Sequence, residues 1–281
     1  MRRRSIRQPR LFRALAAALV AVALTAPTVQ AADGECCTRG ADIIREAYPT
    51  ARNISERTFR VGRETTTLPA NRTGNPHELT CKTWPARPEL MLVAVPLVTS
   101  QSEDGNQADV ELLVVDYASL MLRPRLRLAN LLTDDASFVS GLAFDIAYYR
   151  LSGHGIAFGL RIERRGSLVP TPFCAATLWL FVLGDNELKL VLDNLVVAGH
   201  EGEWDISCAG EFQVIERTPA MGRPTSSGYP DILVPERKTK TISALGPNGE
   251  CAAGTNTIAT AYRLLFQGAT YHVPENLRRI E

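Results

Sequence analysis

The chain has 281 residues, 31 Lys+Arg against 30 Asp+Glu, and a formal net charge of +1. That length can bury one full core plus a small extension, and the charge balance gives no basic excess of the kind a nucleic-acid partner requires. With 45% hydrophobic and 22% charged residues, the composition is that of a folded globular chain rather than a disordered one.

The chain opens on Arg2, Arg3, Arg4, Arg7, Arg10 and Arg13 with no acid among them. Ala14 to Ala26 follows as a run of Ala, Leu and Val broken only by Thr25, shorter than the roughly 20 residues a spanning helix needs. Pro27 and Val29-Gln30-Ala31 then place a helix breaker and two small residues where a cleavage site requires them. The pattern predicts a signal peptide over 1–31 and a periplasmic or secreted mature protein with no transmembrane anchor. Cleavage after Ala31 removes six arginines, so Lys+Arg falls from 31 to 25 against 30 carboxylates and the mature form is about −5. The basic start is thus an address and carries no case for nucleic acid.

Six cysteines follow: Cys36, Cys37, Cys81, Cys174, Cys208 and Cys251. In an oxidising compartment they are read first as disulfide partners. The pairings expected are Cys208–Cys251 and one of Cys36/Cys37 with Cys81, leaving Cys174 as a buried thiol at the start of the apolar run 175–179. No C-x-x-C occurs and no histidine lies near a cysteine, so neither a metal nor a cofactor is expected.

Residues 32–88 form an N-terminal extension and linker. Gly40 to Ala47 suits a short helix with Ile43, Ile44 and Ala47 on one face and Pro49 stopping it. Thr58 to Val61 suits a strand, and Thr65 to Pro88 reads as a loop pinned by Cys81, with Trp84 packing onto the rest. From Glu89 to the end the pattern is antiparallel β. Leu90 to Val95 is a continuous apolar run. Val110 to Tyr117 and Leu120 to Leu128 make a hairpin whose second arm alternates Leu122, Leu126 and Leu128 with Arg123, Arg125 and Arg127. Strands follow at 144–148, 158–163, 178–182, 188–197, 211–218, 232–234 and 262–266, and a hairpin around Gly268 closes the chain. About a dozen strands with turns every 8–12 residues predict an all-β meander: a sandwich, a barrel or a small propeller-like fold.

Ala157-Phe158-Gly159-Leu160-Arg161, Leu192 to Val197, Gly202-Glu203-Trp204-Asp205 with Cys208 to Phe212, and Gly268 to Pro274 carry a resemblance over about residues 80–275. They resemble signal-peptide-bearing, β-rich exported proteins of Gram-negative bacteria, a group with no established activity. The resemblance implies an exported compartment and a β-rich fold, and no site residue. Ser227 to Val234 is similar to the closing strand of an FG-GAP-type propeller repeat, but the residues before it carry no acid for a calcium ion.

Candidate chemistry sits in three places. His154, between Gly153 and Gly155, could act as a general base, although nothing beside it completes a triad. Glu201, Glu203 and Asp205 surround Trp204, and acids with an aromatic platform suit glycan hydrolysis or binding. Glu203 and Asp205 are the catalytic candidates there, and Trp204 and Glu201 the binding candidates. Glu103 to Asp109 is oxygen-rich but lacks calcium-loop spacing. Without a nucleophile–base pair, the first expectation is a binding protein for an envelope protein or glycan. The alternative is an envelope-polymer hydrolase using the acids around Trp204.

Overall fold

A computed structural model describes residues 35–70, 74–102, 105–151, 155–226 and 228–280, with the side chains of 35–37, 224 and 225 outside the description. The chain parts into two units between Ala31 and Ala32. The expected signal peptide lies outside the described residues. All of the described strands and helices belong to the second unit, Ala32–Glu281.

This unit is all-β and antiparallel, as the alternation predicts, with seventeen strands and one α-helix among the described residues. The first sheet takes β1 (Arg52–Asn53), β2 (Thr58–Val61), β3 (Glu64–Thr67), β5 (Leu90–Ser102), β6 (Gly105–Asp116) and β7 (Leu122–Thr133) in that order. β4 (Thr80–Thr83) also pairs with β5. The Thr-rich stretch expected as a loop therefore carries two short strands, β3 and β4, in the same sheet as β5. The second sheet runs β13 (Ala220–Ser226), β14 (Tyr229–Leu245), β12 (Gly210–Arg217), β11 (Leu188–Trp204), β10 (Phe173–Leu183), β9 (Ile156–Arg165) and β8 (Phe138–Arg150). β15 (Cys251–Leu264) lies along β14, and neither sheet closes into a barrel. β16 (Phe266–Gln267) and β17 (Thr270–Tyr271) form the expected hairpin, in which Gly268 takes a positive φ of 63° that glycine adopts without strain.

The two sheets share one apolar layer. Leu92, Val110, Leu112 and Leu132 of the first pack with Phe158, Leu160 and Phe181 of the second, and Trp84 is buried edge-on against Phe158 at 5.4 Å. Period-two alternation gives each sheet a second buried face. Met91, Val93, Val95 and Leu113 meet Ile43 and Ile44 of α1 (Glu35–Ala47) and Tyr48 just after it. Leu178, Leu180, Leu195 and Val197 meet Ile232, Val234, Leu264 and the C-terminal Tyr271, Val273 and Leu277. The arginines of β7 face carboxylates on the neighbouring strands: Arg125 pairs with Glu111 at 3.1 Å, and Arg127 bridges Asp109 at 2.6 Å and Glu64 at 2.5 Å.

Cys208 and Cys251 are bonded to each other as expected. Cys81 is also disulfide-bonded, while the side chains of its candidate partners Cys36 and Cys37 lie outside the described residues. Cys174 is a free thiol on β10, but half-buried rather than buried as its apolar run predicts. No helix of the described residues is long and apolar enough to cross a membrane.

Candidate functional site

β11 and β12 form a hairpin whose register sets Glu203 opposite Glu211 and Glu201 opposite Gln213. Directly opposed residues share a face with Cβ atoms about 5 Å apart. Three carboxylates and an amide are therefore gathered on one patch of sheet. They line a cleft of about 800 Å³ walled by Leu168 and Pro172 of the β9–β10 loop, by Phe173 at the start of β10, and by Ala136 and Ser137 after β7. Gln213 Nε2 donates to Glu201 Oε1 at 3.3 Å, and Lys240 Nζ lies 2.5 Å from Glu211 Oε1. Glu203 is exposed in the cleft.

Backbone bonds hold the loop wall. Gly202 N–H donates to Pro172 O at 3.0 Å and Trp204 N–H to Pro170 O at 2.9 Å, so the loop continues the sheet alongside β11. Trp204 alternates to the opposite face from Glu203. Its ring lies 6.4 Å from Phe212, and its indole Nε1 donates to Val169 O at 2.9 Å. It does not stand beside the acids as a platform but pins the loop that bounds them.

Among the described residues, the other acids the sequence offered do not join the cleft. Asp205 closes the β11–β12 turn, with Oδ1 accepting from the N–H of Cys208 at 2.8 Å and of Ser207 at 2.9 Å. These backbone bonds hold its carboxyl below the ordinary range. Asp231 is fully buried and accepts from Ser226 Oγ at 2.7 Å and Arg263 Nε at 2.6 Å, a structural ion pair at the root of β14. In the oxygen-rich stretch, Asp109 is taken up by Arg127 and by the N–H of Asn130 at 2.8 Å. His154, Glu103 and Asp104 lie outside the described residues. No cluster of three His, Cys, Asp or Glu side chains among the described residues is placed to hold a metal ion.

Sequence reasoning missed Glu211, Gln213 and the loop wall. The first two were within reach. Once Asp205-Ile206-Ser207-Cys208-Ala209 is recognised as a tight Asx turn, the hairpin register follows and sets Glu203 against Glu211. The loop arrives from a distant part of the sequence and had no local signal.

Compared with family models, with curated proteins and with solved structures, the chain finds no match.

Proposed function

We propose that the chain is an exported binding protein and that the cleft beneath the β9–β10 loop engages an envelope glycan. One observation carries this reading: Glu201, Glu203, Glu211 and Gln213 project from one sheet face into an open cleft whose other lining includes the apolar Leu168, Pro172 and Phe173. Carboxylates and an amide accept hydrogen bonds from sugar hydroxyls, while Phe173 and Leu168 offer apolar surface to sugar C–H faces. The signal-peptide pattern of residues 1–31 supports export, and the Cys208–Cys251 disulfide fits an oxidising compartment.

Titration of the purified protein with soluble peptidoglycan fragments and envelope polysaccharides tests this by calorimetry. Saturable binding is expected, weakened about tenfold or more in Glu203→Gln, the scale of one charged hydrogen bond. Absence of binding to either polymer overturns the glycan assignment, and a basic envelope protein retained by immobilised protein would replace it.

The Glu203/Glu211 pair favours a second reading, hydrolysis of the bound polymer. Two opposed acids in a cleft have the composition of a glycosidase centre, although Lys240 engages Glu211 and Asp205 is taken up by its own turn. Release of reducing ends that vanishes in Glu203→Gln would establish it; no release by the native protein would end it.

A further inference from the structure

We propose that β15 is a dimerisation edge, through which two copies of the chain join antiparallel about a two-fold axis, with Asn256 of one opposite Asn256 of the other. The proposal is independent of the cleft.

β14 and β15 make a ribbon whose register runs without a shift from Ile232/Leu264 to Leu245/Cys251. Beyond its root the ribbon leaves the core, and every β15 residue from Cys251 to Ala261 is exposed. β15 pairs with β14 on one side, and no described strand pairs with the other. Gly246 N–H donates to Glu250 O at 2.8 Å, so Gly246/Glu250 is a hydrogen-bonded pair. By antiparallel alternation Ile242/Gly254, Lys240/Asn256 and Lys238/Ile258 are hydrogen-bonded pairs too. The N–H and C=O groups of Ala253, Thr255, Thr257, Ala259 and Ala261 therefore point outward, away from β14.

Sheet edges are ordinarily blunted by a charge, a proline, a bulge or shortness. β15 has fourteen residues, and from Cys251 to Tyr262 it carries neither a charged residue nor a proline. The groups that would cover this edge are those of another extended strand. A second copy of β15 fits for three reasons. First, pairing the run with itself sets no charge against a like charge. Second, with Asn256 at the axis, Thr255 of each copy stands opposite Thr257 of the other. Within one copy Thr257 Oγ1 already lies 3.1 Å from Thr239 Oγ1, and Thr255 Oγ1 3.3 Å from Thr241 Oγ1, so the hydroxyl rows continue across the joint. Third, on the other face Ile258, 54% exposed, falls opposite Gly254 of the second copy, where a Cβ would meet nothing within 4 Å. Sliding the register by two residues in either direction replaces the two threonine pairs by a single one on the axis and moves Ile258 off the glycine. The result is one sheet continuous through both molecules with isologous contacts.

The test is disulfide trapping in the full chain with Cys174→Ser. Asn256→Cys lies at the axis and should give a covalent dimer under mild oxidation. Ile258→Cys, which the register places well away from its symmetry mate, should crosslink at least tenfold more slowly. Light scattering should find a dimer for the native protein. Thr255→Lys with Thr257→Lys should weaken it at least tenfold through opposed like charges, and Thr255→Glu with Thr257→Lys should restore it. Circular dichroism confirms that each variant is folded, and trapping at Asn256→Cys does not depend on the lysine variants. A monomer at every concentration up to the high micromolar range, or equal crosslinking at 256 and 258, overturns the proposal.

Discussion

Trp204 and Val169 are tied together along the edge of β11, the indole Nε1 donating to the Val169 carbonyl at 2.9 Å. Glu203 and Trp204 are neighbours in sequence but look to opposite faces, so the tryptophan serves the cleft through the loop it holds. Trp204→Phe keeps a ring beside Phe212 and removes the donor. The expected cost is about 1 kcal/mol in urea unfolding, the worth of one ordinary hydrogen bond. Amide exchange across residues 168–173 should also quicken. Unchanged exchange there would show that the Pro170 and Pro172 carbonyl bonds hold the loop without the indole.

A buried ion pair fastens the C-terminal segment to the second sheet. Arg217 and Glu236 have side chains only 2% and 6% exposed and meet at 2.6 Å. Arg217 also donates to the carbonyls of Val196 at 3.0 Å, Asn276 at 3.2 Å and Leu277 at 3.4 Å. Arg217→Met leaves Glu236 charged and buried with Thr260 and Tyr262 still donating to it. The expected loss is about 3–5 kcal/mol, much of it recovered in Arg217→Met with Glu236→Leu. Denaturant unfolding of the single and double variants measures both. A single variant as stable as the parent would refute the pairing argument.

The legible parts of the fold are those where one face is buried. The hairpin of β6 and β7 could be read because Leu126 and Leu128 face the core while Arg125 and Arg127 face carboxylates. The β14–β15 ribbon was visible only at its root, as Ile232 to Val234 and Tyr262 to Phe266, because those residues touch the core. Farther out, Thr239, Lys240, Thr255 and Asn256 are solvated on both sides, and nothing selects a hydrophobic period. β3 and β4 were hidden for a related reason, as short threonine-rich strands whose place depends on β5. For the cleft, the acids at 201 and 203 were visible, but assigning Trp204 to them ignored the alternation of a strand that runs on to Trp204.

Acidification should destabilise the fold in two steps. Burial pushes the His77 imidazole below its ordinary value of 6.5, outweighing the opposing pull of Asp134. Burial also pushes the Asp134 carboxyl up, but the N–H groups of Val139 and Asn106, the Asn106 amide and His77 together hold it below the ordinary range. Both groups bind protons less readily folded than unfolded. Each contribution is full above the unfolded value and is lost as pH falls toward the folded one. Stability should decline from about pH 6.5 downward, and more steeply below about pH 4. His77→Asn should flatten the upper limb and Asp134→Asn the lower. Urea midpoints from pH 7.5 to 3 measure both, and a slope of opposite sign between pH 7 and 5 would sink the assignment to His77.

Glycine at 199, in the middle of β11, is required by the chain terminus. A Cβ there would lie 2.6 Å from Ile280 Cγ1 and closer still to its Cδ1, and no positive φ demands glycine at this position. Ile280 packs with Val196 and Ile215, so the absent side chain is the seat that lets the C-terminal isoleucine lie flat on the sheet. Gly199→Ala must displace Ile280, and overpacking of this kind costs about 1–3 kcal/mol. Ile280→Ala alone should also destabilise, through lost burial. The double variant separates the two effects: with the isoleucine truncated, the methyl at 199 meets no clash, and adding it should cost less than about 0.5 kcal/mol, the range of a neutral surface change. Denaturant midpoints of the three variants give that coupling directly. Additive losses would mean that Gly199 is needed for the strand itself and not for the residue that rests on it.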